Sequence, residues 1–176
     1  MIVWISVAKG NSGDRDINFW GALLLIALTF ILVLAVYYRL FFPNFFIGPF
    51  RVPHWFGWIG TLYIAIFIPI FHFLKLKRPK RYMMLLRFHI FGNLLSAALI
   101  SIHFTQQLTR PSQAYPELGT GVVLILVLIL LVSTGLLQRF GGNAVNRKRL
   151  RFIHTGTTIA FYLVTFVHIL HGLGLI

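Results

Sequence analysis

Residues 87–103 read RFHIFGNLLSAALISIH, and residues 154–168 read HTGTTIAFYLVTFVH. Each stretch is a long apolar run with one histidine near either end: His89 and His103 in the first, His154 and His168 in the second. The two histidines of each run are fourteen residues apart, which on an α-helix is a rise of roughly 21 Å and about 40° short of four full turns. Each pair therefore lies on nearly one face of a helix, at two different depths.

The composition indicates an integral membrane protein. Of the 176 residues, 58% are hydrophobic and only 11% are charged, whereas an ordinary soluble domain is about 25% charged. The chain has no cysteine. This excludes disulfides, thiolate metal sites, iron–sulfur clusters and covalently attached c-type haem.

Five segments are apolar enough to cross a bilayer, which takes about 20 residues of helix. They are predicted at residues 19–38, 55–74, 83–108, 118–137 and 152–173. Pro69 is expected to kink the second. Neither a repeat of whole helices nor a low-complexity linker separates these segments. The sequence therefore predicts an all-α integral membrane fold, a bundle of five transmembrane helices forming one domain over residues 1–176.

The net charge of +13 is distributed as in a membrane protein. Thirteen of the 16 lysines and arginines lie in the N-terminal segment, in the loop between spans two and three taken together with Arg87 at the start of span three, or in the loop between spans four and five. The positive-inside rule places those three regions in the cytoplasm and the C-terminus outside, with the cell membrane as the expected location. The same distribution explains the basic charge without nucleic acid as a partner.

With this topology spans three and five run in the same direction. His89 and His154 then share an inner depth, and His103 and His168 share an outer depth. A histidine inside a membrane span is by default a functional hypothesis, although polar contact between helices is an alternative. We predict that the four histidines are iron ligands that hold two b haems, each between two imidazoles. Such six-coordinate iron is suited to electron transfer.

Small residues are expected where a porphyrin presses against backbone. Gly121 and Gly135 on span four are also fourteen residues apart, at the depths of the two histidine pairs. Gly92 and Ser96 on span three, and Gly156 on span five, are further candidates. Ordinary packing of small residues between helices is the alternative.

Arginines near each predicted haem can bind its propionates through charge-assisted hydrogen bonds. Arg87 and Arg151 are the candidates for the inner haem, together with Arg149. Arg51 and Arg110 are the candidates for the outer one. Topology alone would also explain the inner cluster.

Three histidines remain outside the predicted pairs. His171 lies one turn beyond His168 and is a rival outer ligand. His72, at the cytoplasmic end of span two, is expected to be a polar interfacial residue, and His54 in the outer loop is expected to be solvated.

Paired histidines at this spacing on two parallel spans resemble the di-haem core of cytochrome b in quinol–cytochrome c oxidoreductases. Glycines at matching spacing on a neighbouring helix, as at Gly121 and Gly135, are also found there. Placement on spans three and five is similar to the transmembrane domain of ferric reductases and NADPH oxidases, over residues 17–173. The chain differs from that family in the fourteen-residue spacing of its second pair, and it lacks a sixth span and a flavin module. The resemblance implies electron transfer through two b haems, with reductant supplied by a partner.

The expected function is transmembrane electron transfer, as a membrane cytochrome b or a subunit of a redox complex rather than a self-contained enzyme. Its partners would be the lipid bilayer and either quinone or a redox protein on one side. The candidate quinone contacts are His72, or Gln106 and Gln107. Asp14, Asp16 and Glu117 are the only acidic residues and none is inside a span, so carboxylate acid–base chemistry is not expected. The alternatives are a haem-free, histidine-lined metal or proton transporter, which histidine titration near neutral pH would suit, and a non-redox assembly subunit.

Overall fold

The computed structural model describes residues 12–41, 45–109, 118–141 and 146–175. These ranges contain five long helices: α1 Ser12–Tyr37, α2 Val52–Lys77, α3 Tyr82–Leu108, α4 Gly119–Phe140 and α5 Arg147–Gly172. All five are long and apolar enough to cross a membrane. The predicted all-α fold with five transmembrane helices is therefore confirmed. Lys9, Arg110 and Glu117 lie outside the described residues.

The helix ends differ from the predicted spans where polar residues begin or extend a helix. α5 begins at Arg147 rather than at residue 152, because the Asn146 side chain accepts a hydrogen bond of 3.0 Å from the Arg149 backbone N–H and caps the basic turn. α2 begins at Val52, with Pro53 in its first turn, and remains helical through Pro69. A proline in the first turn removes only a backbone N–H that has no partner within the helix.

A short hairpin precedes α2 in the predicted outer connection. Its strands, β1 Phe46–Ile47 and β2 Phe50–Arg51, pair antiparallel. Gly48 occupies the turn at φ +61°, a conformation that glycine adopts without steric cost. The Trp55 indole N–H donates to the Ile47 carbonyl at 3.0 Å, which fixes the hairpin to the start of α2.

The helices associate mainly as two pairs, α2 with α3 and α4 with α5, and α1 packs on α3. Small residues allow the α2–α3 pair to approach closely, as is common in membranes. A Cβ at Gly60 would lie 2.8 Å from the Ser96 carbonyl oxygen, so only glycine fits at that point. At the end of the bundle opposite the basic loops, Arg39 after α1 donates a hydrogen bond to the Thr109 carbonyl at 3.0 Å.

The two pairs meet in an apolar layer halfway along the bundle. It consists of buried side chains from four helices: Ile64, Ile100, Leu124, Leu128, Leu131 and Phe161. Phe161 is 1% exposed. The adjacent Tyr162 hydroxyl lies 3.2 Å from the Ile64 carbonyl and 3.3 Å from that of Ala65, which links α5 to α2. Most other apolar side chains point outward, where lipid is as favourable an environment as a protein core.

Candidate cofactor site

The inner layer, defined as His89 and His154, lies toward the end of the bundle that carries the basic loops. The two half-buried imidazoles, from α3 and α5, are close enough to interact electrostatically. The His89 ring stacks on Phe71 of α2, with ring centroids 4.4 Å apart and 17° between the planes. His89 is therefore held against α2 within electrostatic range of His154.

His89 also has a polar neighbour on its own helix. Asn93, one turn later, places its amide nitrogen 3.2 Å from His89 Nδ1, and its amide oxygen is buried without a hydrogen-bond partner among the described residues. The Asn93 side chain is thus directed at the imidazole nitrogen that faces away from a ligand bound at Nε2. The amide nitrogen can only donate to Nδ1, whereas a partner that orients a metal-ligating histidine accepts the proton of its second ring nitrogen. Ligation through Nε2 would therefore require the Asn93 amide oxygen, rather than the nitrogen, to face His89.

The two histidines of α5 that are predicted as haem ligands, His154 and His168, have similar surroundings on α4. His154 Nδ1 lies 3.0 Å from the Thr134 hydroxyl, and His168 Nδ1 lies 2.9 Å from the Thr120 hydroxyl. The residue after each threonine is a glycine. We call the pairs Thr120-Gly121 and Thr134-Gly135 the Thr-Gly seats.

The glycines of the Thr-Gly seats both lie beside an imidazole. A Cβ at Gly135 would lie 3.3 Å from His154 Cε1, which is tighter than usual, and one at Gly121 would lie 3.5 Å from His168 Cε1, an ordinary van der Waals distance. The fourteen-residue repeat of glycines on α4 therefore matches the fourteen-residue repeat of histidines on α5 by direct contact. Porphyrin contact at these glycines remains a prediction, since the contacts seen here are to histidine.

The outer layer is defined as His103 and His168, at the opposite end of the spans. His103 packs on α2, where a Cβ at Gly57 would lie 2.8 Å from His103 Cγ. Its ring also meets that of His54 edge-on, with centroids 4.8 Å apart. His168 contacts Thr120 and is close enough to His171 to interact electrostatically. Pairing of His103 with His168 stays a prediction, as does the choice between His168 and His171.

His54 was predicted to be solvated, and the structure shows a different environment. It is half-buried in the first turn of α2, where its ring stacks on Phe50 at 4.9 Å and contacts His103. The sequence placed it in a loop because the span was expected to begin at residue 55. The hairpin and the earlier helix start bring it into the bundle. His72 is exposed, in agreement with an interfacial position.

The predicted small residues of α3 serve a different contact from the one expected. The Tyr63 side chain of α2 lies against Gly92, where its hydroxyl donates to the Phe88 carbonyl at 3.1 Å. The Ser96 carbonyl faces Gly60. This face of α3 is therefore covered by α2. Gly156 of α5, in contrast, has no atom within 4 Å of a Cβ built on it.

Basic side chains surround the inner layer. Arg87 and Arg151 are exposed at its edge. Lys75, which the sequence did not single out, is half-buried and interacts electrostatically with both His89 and Arg151. The two basic loops thus meet near the inner histidines. A carboxylate or phosphate placed there would meet several cations.

At the outer end, the Gln106 and Gln107 side chains are buried and hydrogen-bonded to each other at 3.2 Å.

Across the described ranges, no three histidine, cysteine, aspartate or glutamate side chains gather into a group that could hold a metal ion. A metal bound among the described residues would therefore have at most two such side chains as ligands. Haem iron, whose other four ligands come from the porphyrin, requires no more than two.

Sequence reasoning missed Thr120, Thr134 and Asn93. The repeated Thr-Gly dipeptide at fourteen residues was a usable signal, since it has the same period as the histidines.

Comparison of the chain with protein-family models, with curated protein sequences and with solved structures finds no match.

Proposed function

We propose that this protein transfers electrons across a membrane through two b haems, one held by His89 and His154 and the other by His103 and His168. One observation carries the proposal. The Thr-Gly seats hold His154 and His168 by Nδ1 at two depths, and His89 shares the depth of His154. An imidazole held at Nδ1 has Nε2 as its free coordinating atom.

The packing of the helices supports this assignment. The extensive helix–helix interfaces of the described residues join α2 to α3 and α4 to α5, and α3 makes a smaller contact with α4. The two histidine-bearing helices are thus connected through their neighbours rather than packed on each other. A planar group ligated from both sides requires such an arrangement. When bound, a bis-imidazole haem supplies a reversible one-electron couple at an iron with no position left for oxygen or substrate.

The rest of the bundle has roles consistent with that chemistry. The apolar layer around Phe161 and Leu128 lies between the two histidine depths, where it would exclude water and keep the separation fixed. Arg87, Arg151 and Lys75 are placed to neutralise carboxylates at the inner layer. On the outer side, Arg51 of β2 remains the candidate among the described residues.

We infer the orientation from charge alone. The basic loops and the N-terminus would lie in the cytoplasm and the hairpin outside, in the cell membrane. Because the chain has no cysteine, single cysteines can be introduced at Lys148 and Phe46, both exposed. In right-side-out vesicles a membrane-impermeant maleimide should label Phe46→Cys and leave Lys148→Cys unlabelled until the vesicles are opened. The reverse pattern would invert the assignment of inner and outer layers.

The proposal is tested by a reduced-minus-oxidised absorbance spectrum of the purified protein, with haem counted per chain. A b-type spectrum with two haems per chain is expected. Absence of a haem signal after expression with adequate haem supply would overturn the function.

The source of electrons is a second part of the same proposal: quinol in the membrane or a reduced flavoprotein on the cytoplasmic side. The test follows the haem spectrum after adding a soluble quinol analogue or a reduced flavoprotein to the oxidised protein. Rapid reduction by the quinol analogue would favour quinone as the partner. Reduction by the flavoprotein alone would remove quinone from the proposal.

A further inference from the structure

The hydroxyl of Thr134 makes more hydrogen bonds than it has protons to donate. Its oxygen lies 2.7 Å from the Leu130 carbonyl and 3.1 Å from the Leu131 carbonyl, in addition to 3.0 Å from His154 Nδ1. A threonine hydroxyl has one proton to donate and lone pairs with which to accept. Carbonyl oxygens only accept, and the Leu130 carbonyl is the nearest of the three partners, so we assign the hydroxyl proton to the backbone of α4.

With that assignment the third bond has one direction. Toward His154 the Thr134 oxygen acts as acceptor, and Nδ1 carries the imidazole proton. A neutral imidazole with its proton on Nδ1 has its lone pair on Nε2. The backbone of α4 thus selects the tautomer of a side chain on α5.

We propose that each Thr-Gly seat of α4 is a positioning device for one haem-ligating imidazole of α5. The glycine lies beside the ring edge, and the threonine oxygen accepts the Nδ1 proton, which directs Nε2 away from α4. At the second seat Thr120 lies 2.9 Å from His168 Nδ1 and Gly121 lies beside Cε1, and the proposal extends to it the bond direction argued for Thr134. The inference rests on the proposed function, and it assigns Thr134 to the inner haem and Thr120 to the outer one.

The seat has a consequence for the redox equilibrium. An imidazole that donates a hydrogen bond from Nδ1 is a more basic ligand and favours ferric over ferrous iron. Removing the acceptor should shift the equilibrium toward the ferrous state, so the midpoint potential should rise. Partners of this kind are worth roughly 10- to 100-fold in metal affinity or activity, and we expect a change of about tenfold in the ferric–ferrous equilibrium of one haem. A tenfold change corresponds to about 59 mV for one electron.

The test is redox potentiometry of the purified protein with Thr134→Val, Thr134→Ser and Thr120→Val. Thr134→Val should raise the potential of one haem only, Thr120→Val that of the other, and Thr134→Ser should restore the original value because it keeps the hydroxyl. Removal of the His154 imidazole identifies which component is the inner haem. The matched control is Thr29→Val, since Thr29 on α1 makes the same helical bond, to the Leu25 carbonyl at 2.7 Å, without touching a histidine.

Each outcome decides the inference. Loss of the inner haem in Thr134→Val would also support it, provided that Thr134→Ser binds two haems. Unchanged potentials in Thr134→Val and Thr120→Val, with two haems still bound, would overturn the seats and leave the electron-transfer function standing. An equal shift in Thr29→Val would attribute the effect to general loosening of the bundle and would also overturn them. A wild-type protein without haem would overturn both proposals together.

Discussion

Replacement of His154 by alanine should leave a folded protein with about one haem per chain instead of two. His154 is the half-buried member of the inner layer that contacts Thr134 and Gly135 and lies near His89. With its imidazole gone, the inner iron would keep one protein ligand and lose most of its affinity for the chain. His89→Ala should have the same effect, because the inner haem needs both imidazoles. The measurement is haem per chain together with the helical circular dichroism signal.

Alanine variants of the outer-layer histidines complete the series and identify the ligands of the outer haem. His103→Ala and His168→Ala should each remove the other haem, whereas His171→Ala should retain both if His168 is the ligand. His72→Ala is the matched control, since His72 is an exposed histidine on α2 outside both layers. Retention of two haems in His154→Ala, or loss of a haem in His72→Ala, would contradict the assignment of the layers. Loss in His171→Ala with retention in His168→Ala would exchange the outer ligand.

The second large effect is expected at the closest approach of two helices. Gly60→Ala should destabilise the bundle, because its methyl group would lie 2.8 Å from the Ser96 carbonyl oxygen and 3.1 Å from Ile100 Cγ1. A backbone oxygen cannot turn aside as a side chain can, so α2 and α3 must separate. Overpacking of this kind costs about 1–3 kcal/mol in well-packed cores. It would also disturb His103, which packs on α2 at Gly57.

The measurement for Gly60→Ala is thermal unfolding in detergent followed by circular dichroism. The control is Gly119→Ala, at the start of α4, where no atom lies within 4 Å of the new methyl group. We expect a lower unfolding midpoint for Gly60→Ala only. Equal midpoints for the two variants would mean that α2 and α3 are not in contact through these residues.

The amino-acid sequence by itself determined the fold class and the approximate spans. Stretches of about 20 apolar residues have few alternatives to a membrane helix, because every backbone polar group must be satisfied within the segment. The predicted span boundaries were wrong where a helix has a polar end. The Asn146 cap extends α5 by a basic turn that hydropathy assigns to a loop. The Phe46–Arg51 hairpin and the start of α2 at Val52 were also missed, because a connection rich in proline and aromatic residues indicates a loop. The contact of His54 with His103 was missed with them.

The candidate site divides in the same way. Periodicity along one chain could predict that His154 and His168 share a helix face and that Gly121 and Gly135 have the same spacing, because these are properties of a single helix. Which helix the histidines face depends on how helices pack, and lipid gives no hydrophobic preference to one partner over another. Only the tertiary structure placed Thr120 and Thr134 against the α5 imidazoles and the Tyr63 side chain against Gly92.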